Sequence, residues 1–317
     1  MNSRILMLIG RRLAIAVLSL FLVSVAVFLI TGLLPGDLAQ ELLGQAVTEQ
    51  AAATLRAQYG LDRPAWLRYV EWIAGLLHGD MGFSFVANRS VNDLVAERLP
   101  NSMVLAGITM AITIPLALLL GILAAIWRGS ALDRAISSLA IMLVSFPEFM
   151  VATLLVILFA VWLGWLPALA FVAPGARFGT IVLAFIMPVT VLVLGSCSQM
   201  IRLTRAAIID ALNTAYAEMA LLKGASRRRL VLRHALPNAL APIVNAVALS
   251  MSGLLGGVII VESVFNYPGL AKLMVDGVMS RDMPLIQTCS MIFCGFYLLL
   301  ITAADIVAIL SNPRLRT

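Results

Sequence analysis

A chain of 317 residues with 62% hydrophobic and only 12% charged residues lacks the polar surface a water-soluble globule needs, since soluble chains carry about 25% charged residues. Its mean hydropathy of +1.01 agrees, and the formal charge of +6 reports which loops face the cytoplasm before it suggests nucleic acid. The three cysteines, Cys197, Cys289 and Cys294, lie in apolar runs with no disulfide framework, and His78 and His234 have no ligand cluster at metal spacing. Neither Lys223 nor Lys272 completes a GxxxxGK[ST] phosphate loop, and there is no GxSxG or HExxH arrangement. Catalytic residues and a built-in metal site are therefore not expected.

A helix crossing about 30 Å of hydrocarbon needs about 20 apolar residues. Six runs qualify: 13–34, 103–127, 135–163 with Glu148 inside it, 179–201, 239–261 and 285–304. Gly164, Pro167, Pro174 and Gly175 supply the turn that separates the third from the fourth. The first run follows Arg4, Arg11 and Arg12 but is too long for a cleaved signal peptide, so it reads as a span. Pro115, Pro188 and the Gly253, Gly256, Gly257 group suit a closely packed bundle. Six spans place both termini on one side, and that side carries 14 of the 22 Lys and Arg residues, seven of them in 202–234. Both termini are therefore expected in the cytoplasm.

The expected organisation is a cytoplasmic N-terminus and first helix over 1–34, an external segment over 35–102, helices two to six over 103–304 and a cytoplasmic C-terminus over 305–317. In the external segment, Trp66, Val70, Ile73 and Leu77 recur at helical spacing after Pro64, which predicts an amphipathic helix lying at the lipid interface or under a soluble partner. In the cytoplasmic loop 202–237, a helix-like stretch Ala215 to Leu222 precedes Gly224, and its exposed face is expected to include Ala217 and Leu221. Apolar residues presented to the cytosol between flanking charges form a docking surface. Arg227, Arg228 and Arg229 read as a topology anchor near lipid headgroups. Glu148, the one acid deep in a run, either contacts a transported solute or makes a structural hydrogen bond near a kink.

Glu218-Met219-Ala220, Gly224 and His234-Ala235-Leu236-Pro237 reproduce a signature of EAA, three residues, Gly, nine residues and I-x-L-P, with Met219 for the middle Ala and His234 for the Ile. The chain thereby resembles the permease subunits of binding-protein-dependent ABC importers. Tyr216, Ala220, Lys223, Gly224, Ala225 and Ser226 are similar to the dipeptide, oligopeptide and nickel branch. Further strings keep the family's order: Leu34-Pro35-Gly36-Asp37, Tyr59-Gly60-Leu61-Asp62, Gly79-Asp80-Met81-Gly82, Leu99-Pro100-Asn101-Ser102, Arg202-Leu203-Thr204-Arg205, Val264 to Leu270, Arg281-Asp282-Met283-Pro284 and Asn312-Pro313-Arg314.

The resemblance implies an all-α membrane protein with six transmembrane helices in the type I ABC importer permease fold, a long external segment after helix 1 and a cytoplasmic coupling helix between helices 4 and 5. It implies a bacterial inner-membrane location and import of a small solute such as a di- or oligopeptide by alternating access. Its partners would be a second homologous permease, two cytoplasmic ATPase domains that bind ATP and Mg, an external binding protein and membrane lipid, with no nucleic acid. Residues Tyr216, Ala217, Glu218, Met219, Ala220, Leu221, Leu222, Lys223, Gly224, Ala225 and Ser226 would seat in the ATPase. The alternative is a stand-alone secondary transporter or channel working through Glu148.

Overall fold

The computed structural model describes residues 3–33, 63–171 and 175–311. The strings at 34–37, 59–62 and 312–314, and Pro174, lie outside them. Helix α1 is Ser3–Gly32, and α2 is Ala65–Leu77. A two-residue hairpin, β1 (Phe83–Ser84) and β2 (Arg89–Ser90), pairs antiparallel. Helix α3 runs Val91–Ile126, α4 Ala131–Ser145 and α5 Glu148–Leu155, the last continuing as π-helix over Val156–Trp162. Then come α6 (Phe178–Leu212), α7 (Ala215–Leu222), a turn Arg227–Arg229 with a π-helical Leu230–Ala235, and α8 (Leu236–Val264). Helices α9 (Leu270–Met279) and α10 (Met283–Ser311) close the chain.

Five of these helices are long and apolar enough to cross a membrane, and the α4–α5 pair makes a sixth span if counted as one. The expected third span is not straight, because α4 and α5 are bent by 95°. Phe146 sits before Pro147 and is driven to an extended backbone (ψ 126°), which ends α4. Glu148 therefore opens a helix rather than sitting mid-span. By contrast α6 runs through Pro188 and ends eleven residues beyond the apolar run, at about 52 Å long by helical rise. That excess over the hydrocarbon thickness carries Arg202 and Arg205 clear of the apolar run.

The contacts divide the chain into two compact units, one made of Met1–Ala16, Met103–Tyr267 and Tyr297–Thr317, the other of Val17–Ser102 and Pro268–Phe296. Three of the boundaries fall inside α1, α3 and α10, and the fourth lies between α8 and α9.

In the unit built on Val17–Ser102 and Pro268–Phe296, α2 lies along α1: Ser24 Oγ is 2.8 Å from the Tyr69 hydroxyl, and Phe28 meets Tyr69 edge-on and stacks on Trp72. Trp66, Val70 and Leu77 of the expected apolar stripe are exposed. Aromatic pairing of Tyr69 and Trp72 with Phe28 of α1 fixes this orientation. The short strings that carried the resemblance bond to one another here. Asn101 Nδ2 donates to the Pro268 carbonyl (2.7 Å), the Leu270 N–H donates to Ser102 Oγ (2.7 Å), and Ser84 Oγ donates to Asp282. Thr288 Oγ1 donates to the Met81 carbonyl, and the Met81 N–H donates to Asn92 Oδ1. Asp282 is buried, and that burial raises its carboxyl above the ordinary aspartate range. An apolar cluster of Val91, Val95, Leu270, Leu285 and Cys289 backs this network.

In the other unit, α3 and α6 approach closely at Gly121, where a β-carbon would lie 2.8 Å from Thr204 Cβ and 3.1 Å from the Ile201 carbonyl. Both obstacles are rigid, one a backbone oxygen and the other a branch point. Gly121→Ala is expected to destabilise the protein by about 1–3 kcal/mol, seen as a lower melting temperature in detergent, whereas Gly107→Ala, which meets nothing within 4 Å, is expected to leave it unchanged.

Candidate functional site: a peg between helices α6 and α8

Helix α7 stands between the ends of α6 and α8 and is held from both sides. Thr214 is extended (ψ 152°) and breaks the run from α6, and its hydroxyl donates to the Ala211 carbonyl at 2.6 Å. At the far end, the Gly224 N–H bonds the Leu221 carbonyl (2.9 Å) and the Ala225 N–H bonds the Ala220 carbonyl (3.2 Å). This pair is a Schellman closure, which needs a left-handed residue at its centre. Gly224 supplies it with φ of +80°, a conformation that costs a residue with a β-carbon about 1–2 kcal/mol. Ser226 then returns to extended backbone, and its carbonyl accepts from the Leu230 N–H at 2.8 Å.

Below the peg, the helix is anchored rather than loose. Val231 and Ala235 are fully buried with Ala125, Ile126, Ile208, Ala239 and Ile243, so the ends of α3, α6 and α8 share one apolar cluster. The π-helical turn has a local cause: Pro237 lacks the N–H that would bond the Arg233 carbonyl, and the helix widens in the turn before it. The resemblance string His234 to Pro237 therefore marks a packed turn. Arg227 Nη2 reaches the Arg128 carbonyl at 3.3 Å.

The eleven expected coupling residues occupy this peg, but they do not all face outward. Tyr216, Glu218, Met219, Leu221, Leu222, Lys223, Gly224 and Ser226 are exposed, and Ala220 and Ala225 are half-buried. Ala217, expected on the exposed face, is fully buried. α7 packs on α6 and the π-helical turn through that side, and a methyl group is small enough to allow the close approach. The outward surface thus sets Tyr216, Met219, Leu221 and Leu222 beside Glu218 and Lys223, with Leu222 76% exposed.

The sequence pattern did not reveal a second tie at the same end. Asp133, in the first turn of α4, takes both Nε and Nη2 of Arg205 on α6 at 2.6 and 2.9 Å. It also accepts from the Gly129 N–H, and Ser130 caps the helix at the Asp133 N–H. Serine followed three residues later by an acid just before an apolar run is the available signal. Asp133→Asn is expected to lower stability by about 2 kcal/mol, because it leaves the guanidinium without its counter-charge. A second change, Arg205→Gln, should then cost little more, and thermal melts of the single and double variants measure both effects.

The other expected site residue, Glu148, is brought to a different place. A β-carbon at Gly195 would lie 2.6 Å from its Oε1 and one at Gly257 2.6 Å from its Oε2, so α6 and α8 present bare backbone to the carboxylate. The carboxylate lines a cavity of about 460 Å³ with Val144, Phe146, Gly195, Gln199 and Arg202. Gly195, Gln199 and Arg202 share one face of α6 by helical spacing, a pattern that the surrounding apolar run hides. Among the described residues no group of three metal-ligating side chains is present.

Multiple helices long and apolar enough to cross a membrane mark an integral membrane protein. Residues 117–317 match the family "Binding-protein-dependent transport system inner membrane component", and residues 5–106 match its N-terminal family. The chain is 35% identical over 311 residues, 98% of both chains, to the "Putative peptide transport system permease protein" of Brucella abortus strain 2308. It is 37% identical over 306 residues, 96% of this chain and 97% of the relative, to the "Glutathione transport system permease protein GsiC" of Escherichia coli O6:H1. The chain belongs to the binding-protein-dependent transport permease family and is a permease subunit of an ABC importer. Membership implies a substrate-binding protein and ATPase partners.

Proposed function

We propose that this chain forms half of the translocation pathway for a short peptide, pairs with a second homologous permease in a bacterial inner membrane, and transmits ATP-driven closure of two cytoplasmic ATPase domains through α7. The observation that carries the reading is the peg itself: Tyr216, Met219, Leu221 and Leu222 stand exposed beside Glu218 and Lys223 on an element held through the buried Ala217. An apolar surface of this kind fits a groove on a partner protein. ATP and Mg bind in the partners, which supply the hydrolysis, and this chain contributes no catalytic residue. Both termini and the 202–237 loop lie in the cytoplasm, in keeping with their excess of Lys and Arg. The names of the relatives, one a peptide system and the other a glutathione system, support a peptide-like cargo. Glu148 and its cavity lie on the path of that cargo.

The test is to purify the detergent-solubilised chain from its native membrane and identify what comes with it, beside Gly224→Asp. Wild type is expected to bring an ATPase pair and a second permease. The variant, whose peg cannot close its turn without strain, is expected to lose the ATPases or to lose at least tenfold in coupled uptake while still inserting. A chain that purifies alone and still transports would contradict the reading and favour a self-contained mechanism through Glu148.

A further inference from the structure

Glu148 and Arg202 face the same cavity with opposite charges, and neither side chain has a hydrogen bond or ion pair among the described residues. They are not paired with each other either: among the described residues, the salt bridge of α6 is the one between Arg205 and Asp133. A half-buried carboxylate with no partner is costly in an apolar setting, and such groups are found where a ligand or a cavity needs them. The backbone around it is cut away to admit it, since glycines stand at both points where a β-carbon would touch its oxygens. The cavity, about 460 Å³, is of the size that holds small organic ligands.

The arrangement along α6 gives the shape of that ligand. The carboxylate lies level with Gly195, Gln199 follows one turn on, and Arg202 comes after two turns. At a rise of 1.5 Å per residue, Gly195 and Arg202 are about 10 Å apart along the axis. An extended peptide advances about 3.3–3.6 Å per residue, so about three residues span that distance. Gln199, between Gly195 and Arg202 along α6 and lining the same cavity, offers an amide with one acceptor and two donors.

We propose that this cavity is a subsite for zwitterionic peptides of about three residues, in which Glu148 takes the α-ammonium group, Arg202 takes the α-carboxylate and Gln199 bonds the backbone between them. The permease then carries a selectivity of its own, for free peptide termini, in addition to whatever its binding protein selects. The proposal rests on the peptide-import reading above. A carboxylate holds an ammonium as a point charge and a guanidinium holds a carboxylate bidentately, so each end is read by a different side chain and fails separately.

The experiment uses the complete transporter with its ATPases and second permease. ATP-driven uptake of trialanine by wild type, reconstituted in phosphatidylethanolamine and phosphatidylglycerol vesicles with the binding protein present, tests the import reading. Equilibrium binding of trialanine, N-acetyl-trialanine and trialanine amide to the nucleotide-free complex, without the binding protein, tests the subsite. Glu148→Gln is expected to weaken trialanine and trialanine amide by about tenfold or more and to leave N-acetyl-trialanine unchanged. Arg202→Gln is expected to weaken trialanine and N-acetyl-trialanine similarly and to leave the amide unchanged. If both variants weaken all three peptides alike, or neither changes any of them, the subsite is overturned even where uptake succeeds. If uptake of trialanine is absent while the end-specific losses are seen, the import reading fails and the subsite stands. Should one variant fail to assemble, the presence or absence of the end-specific loss in the other decides the proposal.

Discussion

The apolar cluster of Ala125, Ile126, Ile208, Val231, Ala235, Ala239 and Ile243 is the contact on which the packing around α7 depends. It joins the ends of α3, α6 and α8 at the level where α7 stands out from the membrane-crossing bundle. Close packing without voids makes such a cluster stiff, because interiors transmit displacement rather than absorb it. A force on Met219 or Leu222 therefore acts on three long helices at once. Without that burial, α7 would be an eight-residue helix on two loops, too short to hold its shape alone. The Asp133–Arg205 pair adds the start of α4 to the same block with a bidentate, directional contact that apolar packing lacks.

Proline and glycine divide the labour of shaping the bundle. Pro147 bends the third span and thereby delivers Glu148 to a helix start, from which its carboxylate reaches Gly195 and Gly257. Pro237 widens the turn through which α8 is fastened, while Pro188 is carried inside α6 without ending it. Gly195 and Gly257 clear a place for the carboxylate, Gly121 lets α3 approach α6, and Gly224 closes the peg. Each of these is a point where a side chain would collide or a backbone angle would be strained.

The six apolar runs were legible because lipid demands about 20 uncharged residues per crossing. Their ends were not: α3 starts at Val91 rather than near Met103, and α6 runs to Leu212 rather than Ile201, since helices outlast the hydrocarbon and the polar turns are held by packing. The bend at Pro147 was hidden inside one uninterrupted run. The position of α7 and the turn at Gly224 followed from the signature, but the burial of Ala217 did not, because eight nearly all-apolar residues carry no periodic signal of which side is inward. The bonds from Asn101 to Pro268, Ser102 to Leu270 and Ser84 to Asp282 join residues 167, 168 and 198 positions apart. A single sequence holds the members of such pairs but not their pairing.

Fastened in this way, α7 is expected to move as one body with the helices it is packed against. Spin labels at Met219, exposed on α7, and at Ala206, exposed on α6, would report their separation by pulsed electron paramagnetic resonance in the assembled transporter, with and without ATP under conditions that block hydrolysis. A packed cluster that does not deform gives a single narrow distance distribution whose mean stays within about 2 Å between the two states. A mean that shifts by more than this, or a distribution that broadens on ATP binding, would mean that the peg flexes on its own and does not drive the bundle.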